Sequence, residues 1–345
     1  MNAQVRSDTA TSDIVVSLCN VSKRYMQRQR SEQLVDAFRN LIRPEFKAVT
    51  ALDNVSLTIG RGEIVAYAGA NGAGKSTTVK LCSGLIAPDS GTVCVLGMNP
   101  VRDRVTFVAH IGVVFGHRTE LWFDHPVSAS FEWKRVVWDI PEATYRRALG
   151  ALRESLGLDE FFNTVARELS LGQRMRADLA LALVHEPEIL FLDEPTLGLD
   201  VLARKTMLSY IRNLSREKCV TIMMTSHDMS DLEALAGRIV MLDHGKIAFD
   251  GGFEALRQQA LDRRTLDIDT DSPNPPLLNG AVHTSSEGGR HVYQFDAGAV
   301  HISALLNEAA QQCVILDVQT QQVAIDDVIA TLYTRWKDKT TDTRV

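Results

Sequence analysis

Residues 63–77 read EIVAYAGANGAGKST and constrain the fold more than any other stretch of the chain. Ile64 to Ala68 is a short apolar run of buried-strand type, and Thr77 to Gly84 reads as a helical run. Between them Gly69, Gly74, Lys75 and Ser76 fit G-x-x-x-x-G-K-[ST] without a mismatch. A strand that enters a helix through such a loop makes an anion site. The backbone from Gly69 through Asn71, Gly72 and Ala73 to Gly74 can curl so that its amides, with those of Lys75, Ser76 and Thr77, point at phosphate oxygens. Lys75 then places a charge between the β and γ phosphates of a nucleotide, and the Ser76 hydroxyl can ligate Mg²⁺.

A nucleotide site of this kind needs a second strand that ends in carboxylates, and ILFLDEP supplies it. Ile189 to Leu192 is apolar, and Asp193 and Glu194 stand at the carboxyl end. Asp193 suits the water shell of Mg²⁺. Glu194, held by the turn that Pro195 enforces, is placed to act as general base on a water that attacks the γ-phosphate. Further strand candidates are Ile14 to Leu18, Val220 to Met224 and Ile239 to Leu242. They alternate with helix-period stretches over residues 14–260, which predicts an α/β domain with a largely parallel sheet. Residues 118–186 carry little strand signal and read as a helical subdomain that interrupts the sheet.

A length of 345 residues favours two domains over one. Near Thr270 the run DSPNPPLLNG favours a loop or linker, and residues 265–345 are expected to form a small α+β domain. Its strands are HVYQFD and VILDVQ, and its helices are Val300 to Gln311 and one with Ile325, Val328, Ile329, Leu332 and Trp336 on a single face. Residues 26–48 form a further insert, in which Leu34, Val35, Phe38, Leu41 and Ile42 have helical spacing until Pro44. That helix packs on its own domain or touches a membrane partner or lipid headgroups. A net charge of −6 with no basic stripe argues against nucleic acid as a partner. The five cysteines are scattered, with no metal-ligand or disulfide spacing, which fits a reducing compartment. No signal peptide is read at the N-terminus, and no window approaches the ~20 apolar residues that cross a bilayer. Any membrane role would come through a partner chain.

With LSLGQRMR at residues 169–176, opening the helical run RMRADLALALVH, residues 14–255 resemble the ATP-binding subunit of an ABC transporter. The resemblance implies a P-loop, RecA-like ATPase core with an inserted helical subdomain, with ATP and Mg²⁺ as ligands. It also implies two subunits that sandwich two nucleotides, each completing the other's site through Ser170, Gly172 and Gln173. The family's usual LSGGQ has glycine where Leu171 stands here. By the same resemblance Tyr25 stacks on adenine, Asp200 of TLGLD bridges the two nucleotide sites, and His227 of TSHD contacts the γ-phosphate and holds the attacking water. A core tyrosine and a structural histidine are the rival readings of Tyr25 and His227.

One phosphate loop and one signature segment in the chain imply a homodimer, set against a separate integral-membrane permease at the cytoplasmic face of the inner membrane. LSLGQRMRADLALAL, TSHDMSDLEALAGRIVMLDHGKI and the C-terminal helix resemble ATPases of ABC-2 type exporters, including drug-resistance and viologen exporters. The insert after Tyr25 is similar to those of polysaccharide and glycolipid exporters. An importer subunit and a soluble ABC ATPase are the remaining alternatives, and the soluble ATPase is disfavoured by the absence of a second ATPase unit or long coiled coil.

In IGVVFGHRTELWFDHP, residues 111–126, the family has a strand ending in Phe-Gln and a loop that meets the permease. Here Phe115 is followed by Gly116 and His117. His117 is expected either to reach the metal's water shell in place of the missing glutamine or only to line the loop. His110 and His125 lack ligand spacing with it, and Trp122, Phe123 and Pro126 suit an apolar docking surface.

Overall fold

A computed structural model describes residues 14–28, 46–116, 118–259, 263–322 and 325–342. These residues divide into two compact units at Asp250/Gly251.

The first unit is built around a six-stranded sheet in the order β5-β6-β7-β3-β8-β9. Its strands are β3 (Ile64–Gly69), β5 (Ile111–Phe115), β6 (Ile189–Asp193), β7 (Thr221–Thr225), β8 (Arg238–Asp243) and β9 (Lys246–Gly251). From β5 to β8 every neighbouring pair is parallel. A parallel sheet covered on both faces needs unbroken apolar strands, and Val65 to Ala68 and Ile189 to Leu192 are all fully buried. A second, antiparallel sheet runs β2-β1-β4, with β1 at Ile14–Arg28, β2 at Phe46–Gly60 and β4 at Ser90–Val95. Val16, Leu18, Leu57 and Ile59 of that sheet share one core with Tyr67 of β3 and with Val79 and Leu81 of helix α1 (Lys75–Cys82).

Two expectations are corrected here. Strand β1 continues well past Leu18, and Met26, Gln27 and Arg28 pair with Ala48, Lys47 and Phe46. Both ends of the predicted helical insert are therefore strand, because the antiparallel ladder carried on from Tyr25↔Val49 engages their backbone. Its apolar positions Leu34 to Ile42 lie outside the described residues.

The one-turn helix α2 (Arg104–Phe107) precedes β5. Residues 118–186 carry α3 (Val127–Val137), α4 (Glu142–Leu156) and α5 (Leu171–Leu183). Helix α4 buries Tyr145, Ala148, Leu152 and Leu156, an i/i+3/i+4 stripe, and ends at Gly157, whose φ of 59° gives the left-handed C-cap. Helix α5 is buried continuously from Ala177 to Leu183 and packs against α4, α3 and β5. Helices α6 (Val201–Lys218) and α7 (Met229–Leu235) follow β6 and β7.

The second unit holds α8 (Phe253–Gln259), β10 (Arg263–Thr270), β11 (Ala281–Glu287), β12 (Arg290–Asp296), α9 (Ile302–Ala310), β13 (Ile315–Gln322) and α10 (Ile325–Asp342). Its antiparallel sheet has the order β11-β12-β10-β13, with a core of Leu266, Ile268, Tyr293, Phe295, Leu305 and Ala309. The sequence reading gave α8 to the first domain. Its buried Phe253 and Leu256 and its contact with α10 group it with the second unit. The proline-rich run is a loop inside this unit, between β10 and β11, and the Tyr293 hydroxyl donates to the Pro276 carbonyl at 2.7 Å.

Candidate nucleotide site

Strand β3 ends at Gly69, and the loop from Ala70 to Gly74 delivers the chain into α1. Gly72 and Gly74 have φ of 80° and 114°. A Cβ on Gly74 would stand 2.5 Å from the Ala51 carbonyl oxygen and 2.6 Å from Leu52 Cδ2, so strain and collision both require glycine. The amides of Gly72, Gly74, Lys75, Ser76 and Thr77 have no acceptor among the described residues, which leaves the N-terminus of α1 open to an anion. Lys75 is 7% exposed, and its Nζ donates to the Gly69 carbonyl at 2.6 Å and the Ala70 carbonyl at 3.4 Å. Burial holds its pKa below the usual lysine value, against the pull of Glu194 and Asp193. A nearly buried cation bonded to carbonyls, beside unpaired amides, fits the phosphates of a nucleotide. Ser76 and Asp193 supply the hard oxygen donors that a Mg²⁺ ion takes.

Strands β6 and β7 bring the carboxylates to this end of the sheet, with Asp193 opposite Thr225. The Thr225 hydroxyl donates to Asp193 Oδ1 at 2.7 Å and accepts from the Glu194 amide at 3.2 Å. The Thr225 carbonyl takes the same amide at 3.1 Å. Glu194 therefore turns out of the strand with φ of 59°, an uncommon conformation for a side-chain-bearing residue. Its side chain is 12% exposed, and His227 Nε2 lies 2.6 Å from Glu194 Oε1. On the other side, the Gly116 amide donates to the Asp193 carbonyl at 2.7 Å. A Cβ on Gly116 would come within 2.6 Å of the Glu194 carbonyl oxygen. Gly116 is named from sequence only as standing where the family's glutamine is missing, and its contact with Asp193 and Glu194 is not legible there. Thr225 is not singled out from sequence, where its signal is its place at the end of a strand next to His227.

Tyr25 is half-buried on β1, with Lys23 Nζ 5.9 Å from its ring centre, so it is not a core tyrosine. Tyr67, by contrast, is a core residue, fully buried and hydrogen-bonded to Thr78 at 3.0 Å. Ser170 is the N-cap of α5 in a capping box. Its Oγ accepts from the Gln173 amide at 3.2 Å, and Gln173 Oε1 accepts from the Ser170 amide at 2.9 Å. Leu171, 42% exposed, covers Gly198, where any Cβ would collide with Leu171 Cδ2. A Cβ on Gly172 would meet only ordinary contacts, from Leu199 and Ala203. Asp200 caps α6 through the Ala203 amide at 2.8 Å. Arg204, one turn on, bonds Asp228 and Asp231 of the segment after His227. His110 pairs with Glu188 at 3.1 Å, and His125 lies against Trp122 with ring centres 5.4 Å apart. His117 lies outside the described residues. Trp122 and Phe123 are 39% and 54% exposed and Pro126 is half-buried, while exposed Trp133 of α3 has its ring centre 5.6 Å from that of Trp122. No helix among the described residues is long and apolar enough to cross a membrane.

The family model "ABC transporter" matches residues 52–197. The ABC transporter ATP-binding protein NatA of Bacillus subtilis (strain 168) is 31% identical over 210 residues, 61% of this chain and 85% of that protein. The aliphatic sulfonates import ATP-binding protein SsuB 1 of Burkholderia lata is 32% identical over 292 residues, 84% of this chain and 80% of that protein. A solved dimeric bacterial ABC transporter cassette superposes with a TM-score of 0.58 at 25% identity, over 69% of this chain and 98% of that one. The chain belongs to the ATP-binding proteins of ABC transporters. It is accordingly an ATP-hydrolysing enzyme with the RecA-like P-loop core of that family.

Proposed function

We propose that the chain is the ATPase subunit of an ABC-2 type exporter, acting as a homodimer on a separate integral-membrane permease from the cytoplasmic side. ATP is held by the open amides of Gly72 and of Gly74 to Thr77 in the loop that runs from Gly69 through Asn71 and Ala73, the Ala73 amide being taken by the Ala70 carbonyl at 3.0 Å, by Lys75 on the β and γ phosphates and by Tyr25 on adenine. Ser76 and Asp193, the latter through water, hold Mg²⁺, which neutralises charge on the transferring phosphoryl group. Glu194 takes the proton of the attacking water, and His227 orients that water and contacts the γ-phosphate. Ser170, Gly172 and Gln173 face the partner's nucleotide, and Asp200 bridges the two nucleotide sites. Binding closes the dimer and hydrolysis reopens it, which biases a two-state element whose motion reaches the permease through the Trp122–Phe123 surface.

The observation that carries this reading is the Glu194–His227 pair at 2.6 Å, held by Thr225 beside Asp193 and across from Lys75. The self-pairing is supported by the likeness to a dimeric cassette. The direction of transport is not carried by the relatives, since one is named as an importer. It rests on the resemblance of LSLGQRMRADLALAL and of the C-terminal segment to exporter subunits.

Glu194→Gln is expected to slow ATP hydrolysis about 10²- to 10⁴-fold with ATP binding spared, the range a positioned general base contributes. The trapped protein should run as a dimer in size-exclusion chromatography with light scattering, and should co-purify a multi-helix permease from solubilised membranes. Undiminished turnover removes Glu194 from the role of base.

A further inference from the structure

Helix α5 carries a carboxylate that the nucleotide chemistry does not use. Asp178 lies about two turns past Ser170, is 6% exposed, and interrupts a buried apolar run of Met175, Ala177, Leu179 and Leu181. Its Oδ1 accepts from the Thr119 hydroxyl at 2.8 Å and from the Glu120 amide at 3.1 Å. The Thr119 oxygen in turn accepts from the Leu121 amide at 3.0 Å. One oxygen of α5 thus fixes the turn that starts the loop after β5. Helix α3 holds the same loop, as Ser130 Oγ accepts from the Trp122 amide at 2.9 Å and Lys134 pairs with Glu120 at 3.1 Å. Leu121 is buried as a result, and Trp122 and Phe123 point outward.

A buried carboxylate is a costly way to fill this position, since alanine or leucine would continue the apolar face. Burial pushes the Asp178 carboxyl up to about 7, against its two hydrogen bonds, and the charges acting on it are Glu120, which raises it, and Arg174, which lowers it. The geometry explains the residue, because its partners are loop groups that no apolar side chain could hold.

We propose that Asp178 is a positioning residue that locks the Trp122–Phe123 loop to the helix whose N-terminus is the Ser170 segment, so that the two move as one piece when nucleotide is bound. The proposal rests on the functional reading above, in which Ser170 meets nucleotide and the loop meets the permease. Its test needs only the purified chain.

Trp122 is left as the only tryptophan by replacing Trp133, Trp138 and Trp336 with phenylalanine, in the Glu194→Gln background that retains ATP. Its emission is followed as MgATP is added, and ATP affinity is measured separately by calorimetry. The background protein should show a saturable change with ATP. Asp178→Ala and Thr119→Ala should abolish that change at unaltered ATP affinity, and Asp178→Asn, which keeps the accepting oxygen, should restore it. A full response in Asp178→Ala and Thr119→Ala, no rescue by Asp178→Asn, or an unresponsive Trp122 in background protein that binds ATP each overturns the lock. Failure of the background protein to bind ATP overturns instead the functional reading on which the lock rests.

Discussion

At the scale of single residues, the site is made by backbone conformation as much as by side-chain chemistry. Gly74 is glycine because Ala51 and Leu52 occupy the space a Cβ would need. Glu194 points at His227 because its amide is taken by both oxygens of Thr225. The pattern around Lys75 and the DE pair were legible in the sequence, whereas Thr225 was not, since threonine at a strand end carries no signal until its neighbour strand is known. Two buried titratable groups on α5 and just beyond it give opposite pH dependences. The Asp178 carboxyl titrates at about 7 in the folded chain against 3.8 unfolded, so between those values the folded state holds a proton that the unfolded state lacks. Its contribution is therefore favourable at low pH and is lost as pH rises from 3.8 to about 7. His185 runs the other way. Burial lowers its pKa to about 4, its Nε2 donates to the Ile111 carbonyl at 2.8 Å and its Nδ1 is buried without a partner among the described residues, so stability is lost as pH falls from 6.5 to about 4. Asp178→Asn keeps the hydrogen bonds without the buried charge. At pH 8 it should unfold in urea with a stability higher than wild type by at most about 4 kcal/mol, a gain that shrinks toward pH 5.

At the scale of elements, α5 joins three parts of the site. Its N-cap is the Ser170–Gln173 box, its middle holds Thr119 and Glu120, and its C-terminal half lies on β5. That last contact is close because Gly112 has no side chain, and a Cβ there would be 2.6 Å from the Ala182 carbonyl oxygen. The helical run was readable from its apolar content, but the partners of Asp178 were not, since they lie 58 and 59 residues away in the chain. Ser170→Ala should destabilise the first unit by about 1 kcal/mol in denaturant titration through loss of the cap, because the freed Gln173 amide is exposed to water. ATP turnover should fall by far more than that loss of stability explains, which separates a nucleotide role from a capping role. The insert after Tyr25 shows the opposite lesson. Helical spacing predicted helix over residues 26–48, yet Met26–Arg28 and Phe46–Ala48 are strand, because ladder bonds to a distant segment outweigh a local pattern.

At the scale of the molecule, each unit has a core of its own, and the two should report separate unfolding events. Leu305 is fully buried among Leu266, Ile268, Tyr293 and Phe295. Leu305→Ala should cost about 2–5 kcal/mol in the second unit. Calorimetry should show one transition lowered, with ATP affinity of the first unit unchanged; a single shifted transition would mean that the units unfold together. The α/β class, the phosphate loop and the acidic strand end are legible along the chain, because backbone curvature, charge and strand burial are local demands met by neighbouring residues. It takes the folded chain to show that Thr225 and Gly116 brace Asp193 and Glu194, that Tyr25 stays out of the core, that Leu171 covers Gly198, and that Asp178 reaches the loop after β5. Those contacts join segments that only the strand order brings together, and no periodicity or spacing along the chain encodes which strands become neighbours.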